Sequence, residues 1–174
     1  MIRVKDALAR GVARLDAGGS ADESGDPAFV SACVDYLEFI VGRFISQGLA
    51  NVDRLNALIP ATDAASLGIV HDIERTLAGT RQQLDRLVVA REAAASGAVD
   101  VEVLAAACRT FLGFYDSTLA RRKDPAQAVV EKYIDPDTYW RETNDVTDAS
   151  IETERTLFHR LTVLAPDIVQ SDPD

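Results

Sequence analysis

The chain has 174 residues, with 28 acidic and 18 basic side chains, a formal net charge of -10 at pH 7 and 47% apolar residues. This length indicates a single domain, and the apolar fraction is sufficient for a hydrophobic core. The acidic balance argues against nucleic-acid binding, because nucleic-acid-binding proteins neutralise phosphates with clustered Lys and Arg. Two His and two Cys are too few for a histidine-rich metal centre or a zinc site built from Cys alone.

Residues 1–15 are predicted to form an amphipathic arm helix with an excess of basic side chains. Its apolar positions at helical spacing are Val4, Leu8, Val12 and Leu15. Residues 16–27 are rich in Gly, Ser and acidic residues, which predicts a flexible linker. We expect the arm to dock on the acidic body or on a second subunit, or to bind a protein partner. Asp6 and the lack of aromatic residues argue against membrane binding.

Three long helices are predicted next, at the start of a bundle domain that spans residues 28–165. The first helix covers residues 29–59 and is followed by a turn at residues 60–63. The second helix has Thr62 or Asp63 as its N-cap and ends at Ser96-Gly97. The third helix follows Asp100, which is its predicted N-cap. Turns this short force neighbouring antiparallel helices. The residues predicted to point inward are Val30, Cys33, Leu37, Val41, Phe44, Gly48, Leu55 and Ile59 in the first helix, Val70, Ile73, Leu77, Leu84 and Val88 in the second, and Val101, Leu104, Cys108, Leu112, Tyr115 and Leu119 in the third.

A longer connection, residues 121–145, is predicted to contain a short helix at residues 126–134. Thr147 is the predicted N-cap of a last helix at residues 148–164, and residues 166–174 form an acidic tail. The inward positions of the last helix are Ile151, Phe158, Leu161 and Ala165. Because no segment alternates as a strand does, the predicted fold is all-α: an up-down four-helix bundle with an N-terminal amphipathic arm helix and a long helical connection before the last helix.

The N-terminal residues lack the apolar run of an export signal, and nowhere does an apolar run approach the roughly 18 residues of a membrane span. The sequence therefore predicts a cytoplasmic protein. In that compartment Cys33 and Cys108 are expected to be reduced thiols that pack as small apolar side chains.

Several polar residues are predicted on or beside the apolar helix faces. They are Glu38, Glu74, Arg81, Tyr115, Asp116, Glu154 and Arg155. Helix lengths place Glu38, Tyr115, Asp116 and Glu154 at comparable levels of the bundle, with Glu74 several turns away. One interpretation is buried salt bridges that fix the helix register. The other is a pocket for a small polar ligand or a weak metal site.

Carboxylates from four helices are what a dinuclear iron or manganese bundle uses, with imidazoles completing the ligand set. Here the imidazoles are too few, and His71 lies toward the polar side of its predicted helix. Arg81 and Arg155 would compete with a divalent cation for the carboxylates. No cofactor or metal ligand is therefore predicted, with non-haem iron as the alternative, and no catalytic motif is found.

Residues 35–39 (DYLEF) and 111–116 (FLGFYD), with the order of the long helices, resemble the hemerythrin-like bacterial helical bundles over residues 29–164. The resemblance implies a bundle whose histidines and carboxylates hold a non-haem di-iron centre that binds or senses oxygen, nitric oxide or iron. This chain departs from that pattern because its first and third predicted helices contain no His. The resemblance thus implies a degenerate member without the iron site, in which Glu74 or Glu154 occupies a former metal position.

The function predicted first is a non-catalytic helical bundle that binds a protein partner or a small polar ligand. The alternative is a carboxylate-rich iron or manganese sensor or storage protein. An enzyme acting on an anionic substrate through Arg81 with Glu38 or Glu154 has no motif in its favour. Tyr133, Tyr139 and Trp140 are predicted near one bundle end, as an apolar lid or as part of an interface.

Overall fold

The structure, a computed structural model, describes residues 2–16, 25–119, 123–135, 137–138 and 147–165. Its main elements are α1 (Ile2–Asp16), α2 (Gly25–Leu58), α3 (Ala64–Ala95), α4 (Val101–Phe114), a π-helix (Tyr115–Leu119), α5 (Lys123–Tyr133) and α6 (Asp148–Leu164). The described residues contain no strand, and the all-α bundle is confirmed. None of the described helices is long and apolar enough to cross a membrane. Most of the predicted linker, Tyr139, Trp140 and the acidic tail lie outside the described residues.

The helix ends follow local sequence signals. Asp63, one of the two predicted N-caps of α3, accepts a hydrogen bond from the Ser66 backbone N–H at 3.1 Å. Hydrogen bonds from Lys132, Tyr133 and Ser66 hold the pKa of the Asp63 carboxyl well below its ordinary value. At the other end of α3, Gly97 has a φ of 70°, a conformation that favours Gly over residues with a side chain.

Helix boundaries differ from the prediction at three places, one of which is the start of α5 at Lys123 rather than at residue 126. Helix α2 begins at Gly25, within the predicted linker. Helix α4 ends at Phe114, and a π-helix covers the residues up to Leu119 that were predicted as α-helix. Ser117 lies in this π-helix, and its hydroxyl donates to the Gly113 carbonyl at 2.8 Å. Such side-chain bonds to the preceding turn compete with regular helical bonding.

Helices α1 to α4 close a ring of neighbours. Helix α1 contacts α2 and α4, and α3 also contacts α2 and α4. Arg91 near the end of α3 forms an ion pair with Glu38 near the start of α2. Gly48, later in α2, meets Leu77, which is earlier in α3. Helices α2 and α3 are therefore antiparallel. Helix α6 lies outside this ring and packs against α2.

Helix α1 lies against α2 and α4 of the same chain, and its apolar residues belong to the bundle core. Its apolar stripe is almost fully buried, and Leu8 has no exposed area. Gly11 packs so closely on α2 that a Cβ atom there would lie 3.0 Å from a ring carbon of Phe29. The N-terminal segment is therefore a wall of the bundle core, because an amphipathic helix gains more from burying its apolar stripe than from leaving it in water.

The ring covers only one half of the long α2–α3 hairpin. Helices α2 and α3 have 34 and 32 residues, whereas α1 and α4 have 15 and 14. At about 1.5 Å per residue, the hairpin is roughly twice as long as the two helices that complete the ring. The opposite half of the hairpin is covered by α5, from which Lys132 donates to Asp63 at 2.6 Å.

Most predicted core positions are buried or half-buried, but Phe44 and Ile151 are exposed. Each is 45% exposed. Ile45, not Phe44, takes the buried position on α2. Gly11 of α1 packs against Phe29 of α2, and with this alignment the short helix α1 does not reach the level of Phe44. Ile151 is exposed because α6 buries a narrow face, mainly against α2.

Both cysteines are buried with free thiols, as expected for reduced residues that pack as apolar side chains. Burial raises the pKa of the Cys33 thiol far above its ordinary value and that of Cys108 to about 12. Both sulfurs are therefore held as neutral thiols in the core, which suits a packing role and disfavours nucleophilic chemistry.

Candidate functional site

The first polar cluster, here called the α2 polar band, joins three helices. It consists of Asp35, Tyr36, Glu38 and Arg43 of α2, Arg91 of α3, and Glu154 and Arg160 of α6. Arg91 donates to Asp35 and, at 2.8 Å, to Glu38. Arg160 donates to the other oxygen of Asp35 at 2.7 Å. Asp35 is thus shared by guanidinium groups from two helices that flank α2.

A second part of the band lies between α2 and α6. The Tyr36 hydroxyl donates to Glu154 Oε1 at 3.0 Å, and Arg43 Nη1 lies 3.4 Å from Glu154 Oε2. The Tyr36 ring meets Phe158 edge-on, with 6.1 Å between ring centroids. Burial, with the hydrogen bond to Glu154, raises the pKa of Tyr36 to about 12. Tyr36 is therefore neutral at physiological pH and serves as a donor to the carboxylate.

The α2 polar band contains three carboxylates and three guanidinium groups, and each carboxylate lies within ion-pair distance of at least one guanidinium. The pairs link α3 to α2 and α2 to α6, at positions that match only one axial alignment of these helices. Glu38 and Glu154, two of the predicted site residues, belong to this band. Their geometry supports the interpretation of salt bridges that fix register, since each of these carboxylates already has a guanidinium within ion-pair distance.

The second cluster, here called the α1–α4 rim, lies at the two ends of α1. It consists of Lys5 and Asp16 of α1, Arg109 of α4, and Tyr115 and Asp116 of the π-helix. Lys5 Nζ lies 2.8 Å from Asp116 Oδ1 and 5.6 Å from the centroid of the Tyr115 ring. The hydrogen bond to Asp116 raises the pKa of Lys5. At the opposite end of α1, Arg109 Nη1 donates to Asp16 at 2.6 Å.

The structure does not gather the predicted site residues in one place. Glu38 and Glu154 join the α2 polar band, whereas Tyr115 and Asp116 join the α1–α4 rim. Their contacts separate because α6, which carries Glu154, packs against α2, whereas the π-helix continues α4 and α1 packs against α4. The predicted four-residue cluster is therefore corrected to two clusters with different partners.

Glu74, Arg81 and Arg155 are exposed, contrary to the expectation that they point toward an interface. Glu74 lies 3.7 Å from His71 on its own helix, and Arg155 pairs with a neighbouring carboxylate of α6. Thr80 takes the buried position beside Arg81, and its hydroxyl is satisfied by a bond to the preceding turn. The buried face of α3 is thus rotated away from Arg81.

Eight residues of the two clusters were not predicted from the sequence: Lys5, Asp16, Asp35, Tyr36, Arg43, Arg91, Arg109 and Arg160. Arg91 had a detectable signal, because it stands seven residues after the buried Leu84 and so within about 20° of it on the helical wheel. Asp35 gave no such signal in the sequence, because it lies off the apolar stripe of its helix. Its partners are arginines of α3 and α6, the helices on either side of α2.

Within the part of the chain that the structure describes, no three His, Cys, Asp or Glu side chains are grouped to hold a metal ion. No family model, curated protein or solved structure matches the chain. The functional proposal therefore depends on the geometry of the two polar clusters and of the helices that they join.

Replacing Tyr36 by Phe is expected to reduce the loss of stability at alkaline pH. A tyrosine with a raised folded-state pKa contributes stability that is complete below the unfolded value near 10 and is lost as pH rises toward about 12. Y36F lacks this contribution, so its free energy of unfolding should fall less over this range than that of the wild type. Urea unfolding at a series of pH values measures the difference, and the buried thiols contribute equally to both proteins. Parallel pH profiles would contradict the assignment.

Proposed function

We propose that this protein is a non-catalytic helical bundle that binds a protein partner by taking up an amphipathic helix in the groove between α2 and α4. The observation that carries the proposal is the docking of α1 in that groove. Helix-in-groove binding needs an apolar stripe on the helix and an apolar groove with charged edges. The stripe of α1 and the paired charges of the α1–α4 rim have this form.

The chemistry of the α2 polar band supports a binding protein over an enzyme. A general acid or base works best with a pKa near the operating pH. Tyr36 has its pKa raised to about 12, away from that range. The carboxylates of Asp35, Glu38 and Glu154 accept hydrogen bonds or ion pairs from side chains that also anchor neighbouring helices. Their geometry supports a role in holding α3 and α6 against α2.

The groove accepts small side chains at close range. Ala7 and Gly11 lie on the same side of α1, and Gly11 approaches Phe29 and Val30 of α2. Leu8 is the largest fully buried residue of α1. A partner helix for this groove should therefore carry small residues at two of its inward positions and a leucine-sized residue between them. Its ends should be basic where Asp116 lies and acidic where Arg109 lies.

Peptide rescue tests the groove. The acceptor is full-length L8A protein, whose own α1 docks less well, and the probe is a synthetic peptide of residues 2–16. We expect saturable binding by the peptide and an increase in the melting temperature of L8A with peptide concentration. The matched control is L161A, which has its cavity under α6 and should gain no more than the wild type.

A second control is the same peptide with Leu8 replaced by Ala, which should rescue L8A less. If the wild-type peptide leaves L8A unchanged up to millimolar concentration, the groove does not accept a helix in trans and the proposal fails. Equal rescue of L161A and L8A would also overturn it, because it would show a nonspecific effect of the peptide.

A further inference from the structure

We propose that α6 is a reversible cover, which separates from α2 while helices α1 to α4 stay folded and thereby uncovers a face of α2 that carries Tyr36 and Arg43. The proposal is independent of the groove described above, because α6 lies outside the ring of α1 to α4. Proteins open in cooperative units, and a unit with few buried apolar contacts opens at a low free energy.

Helix α6 is attached through a narrow buried face. Leu161 is the buried residue within the helix, and Ala165 directly after its end is buried as well. Ile151 and Val163 are 45% and 65% exposed. Among the described helices, α6 packs extensively against α2 alone, whereas α1 buries Leu8 and three further apolar residues against both α2 and α4. Less apolar burial therefore holds α6 in place than holds the ring together.

The polar contacts of α6 add little to this attachment. Arg160 donates to Asp35 at 2.7 Å, but its side chain is 54% exposed. Arg43 Nη1 is buried and lies 3.4 Å from Glu154 Oε2 without a hydrogen bond. Exposed ion pairs contribute little to stability, and a buried donor without a hydrogen bond costs free energy. These contacts therefore determine where α6 docks more than how tightly it docks.

Release of α6 leaves the other contacts of α2 in place. Arg91 of α3 still pairs with Asp35 and Glu38, and α1 and α3 still pack against α2. The uncovered face contains Tyr36, whose hydroxyl and ring contact α6 in the closed form, and the neighbouring Arg43. Tyr and Arg are enriched at the centres of protein interfaces, so the opening changes the binding surface that α2 offers.

Native-state hydrogen exchange of the full chain in low concentrations of urea tests the release. After correction for intrinsic rates, amides of α6 near Leu161 should exchange about tenfold faster than amides of α4 near Cys108. Their exchange should also depend less on urea, because the slope increases with the surface that an opening exposes. This measurement needs no variant. Equal rates and equal slopes for the two helices would overturn the proposal.

Two full-length variants separate release of α6 from unfolding of the whole bundle. Leu8→Ala weakens the ring and leaves the contact between α2 and α6 intact. It should therefore speed exchange of the α4 amides by about 30-fold or more and leave that of the α6 amides unchanged. Leu161→Ala weakens the contact between α2 and α6 and should speed exchange of the α6 amides. If L8A speeds both helices equally, α6 unfolds only together with the ring, and the proposal fails.

Nitration of Tyr36 by tetranitromethane, located by mass spectrometry, reports whether α2 is uncovered. We expect L161A to raise the nitration rate of Tyr36 by about tenfold or more, and L8A to leave it at the wild-type value. Tyr115, which lies beside Lys5 of α1, is the control and should react equally in L161A and the wild type. If L161A leaves nitration of Tyr36 unchanged, α6 frays without uncovering α2, which contradicts the proposal.

Discussion

Leu8→Ala is expected to destabilise the protein by about 2–5 kcal/mol, the range for removal of a fully buried leucine side chain from a core. Leu8 has no exposed area, and α1 contacts both α2 and α4. The substitution leaves a cavity in the wall between those helices. Denaturant unfolding followed by circular dichroism measures the loss. Helix propensity contributes little and has the opposite sign, because Ala is the better helix former.

The matched control is Leu58→Ala at the end of α2. Leu58 is 46% exposed, so its truncation removes less buried area and should cost under about 1 kcal/mol. Equal losses for L8A and L58A would show that α1 is not part of the core in solution.

Arg91→Met is expected to destabilise the protein by about 1–3 kcal/mol, because it leaves two partly buried carboxylates without a donor from α3. Asp35 and Glu38 both accept hydrogen bonds from Arg91, whose side chain is 15% exposed. Burial lowers the pKa of Arg91, but the two carboxylates outweigh it and the net shift is upward. Met preserves much of the apolar length of the side chain, so thermal and urea unfolding report mainly on the lost ion pairs.

Arg155→Met is the control for this loss. Arg155 forms a similar short ion pair with Glu152, but both side chains are mostly exposed, and its removal should change stability by no more than about 0.5 kcal/mol. Combining R91M with Arg160→Met should cost more than the sum of the two, because Asp35 then loses both of its arginine partners. Additive losses would contradict a shared role for Asp35.

The two polar clusters divide the bundle into parts that are held in different ways. In the α2 polar band, Asp35 receives arginines from both sides and ties α3 and α6 to one register. In the α1–α4 rim, each end of α1 is held by one exposed ion pair, and such pairs contribute little to stability. The apolar stripe therefore supplies most of the affinity of α1 for its groove, while the rim selects its direction.

The helices and their ends are largely determined by local sequence. Asp63 and Thr147 cap their helices through hydrogen bonds to residues three positions later, and Gly97 supplies the backbone conformation that ends α3. Apolar periodicity identified most buried positions, because one turn of helix repeats every 3.6 residues wherever the helix lies. These features depend only on residues close together in the chain.

The tertiary structure decided which helices meet. An apolar stripe shows that α1 must bury one face, but the hydrophobic effect has no direction and does not name the surface that covers it. The same limit explains the error at Phe44, whose exposure depends on how far the neighbouring helix extends. The same limit applies to the partner of Glu38, because the hydrogen bond from Arg91 to Glu38 depends on the axial alignment of α2 and α3.

By itself the sequence determined an acidic, all-helical protein with defined helix ends, two cysteines that pack as apolar side chains and an amphipathic N-terminal helix with an excess of basic side chains. Only the tertiary structure decided that this helix completes the ring with α2, α3 and α4, while α6 packs outside it. The physical reason is that helix formation is satisfied by hydrogen bonds within a segment, whereas burial of its apolar face is satisfied only by distant segments that fit it in length, shape and charge.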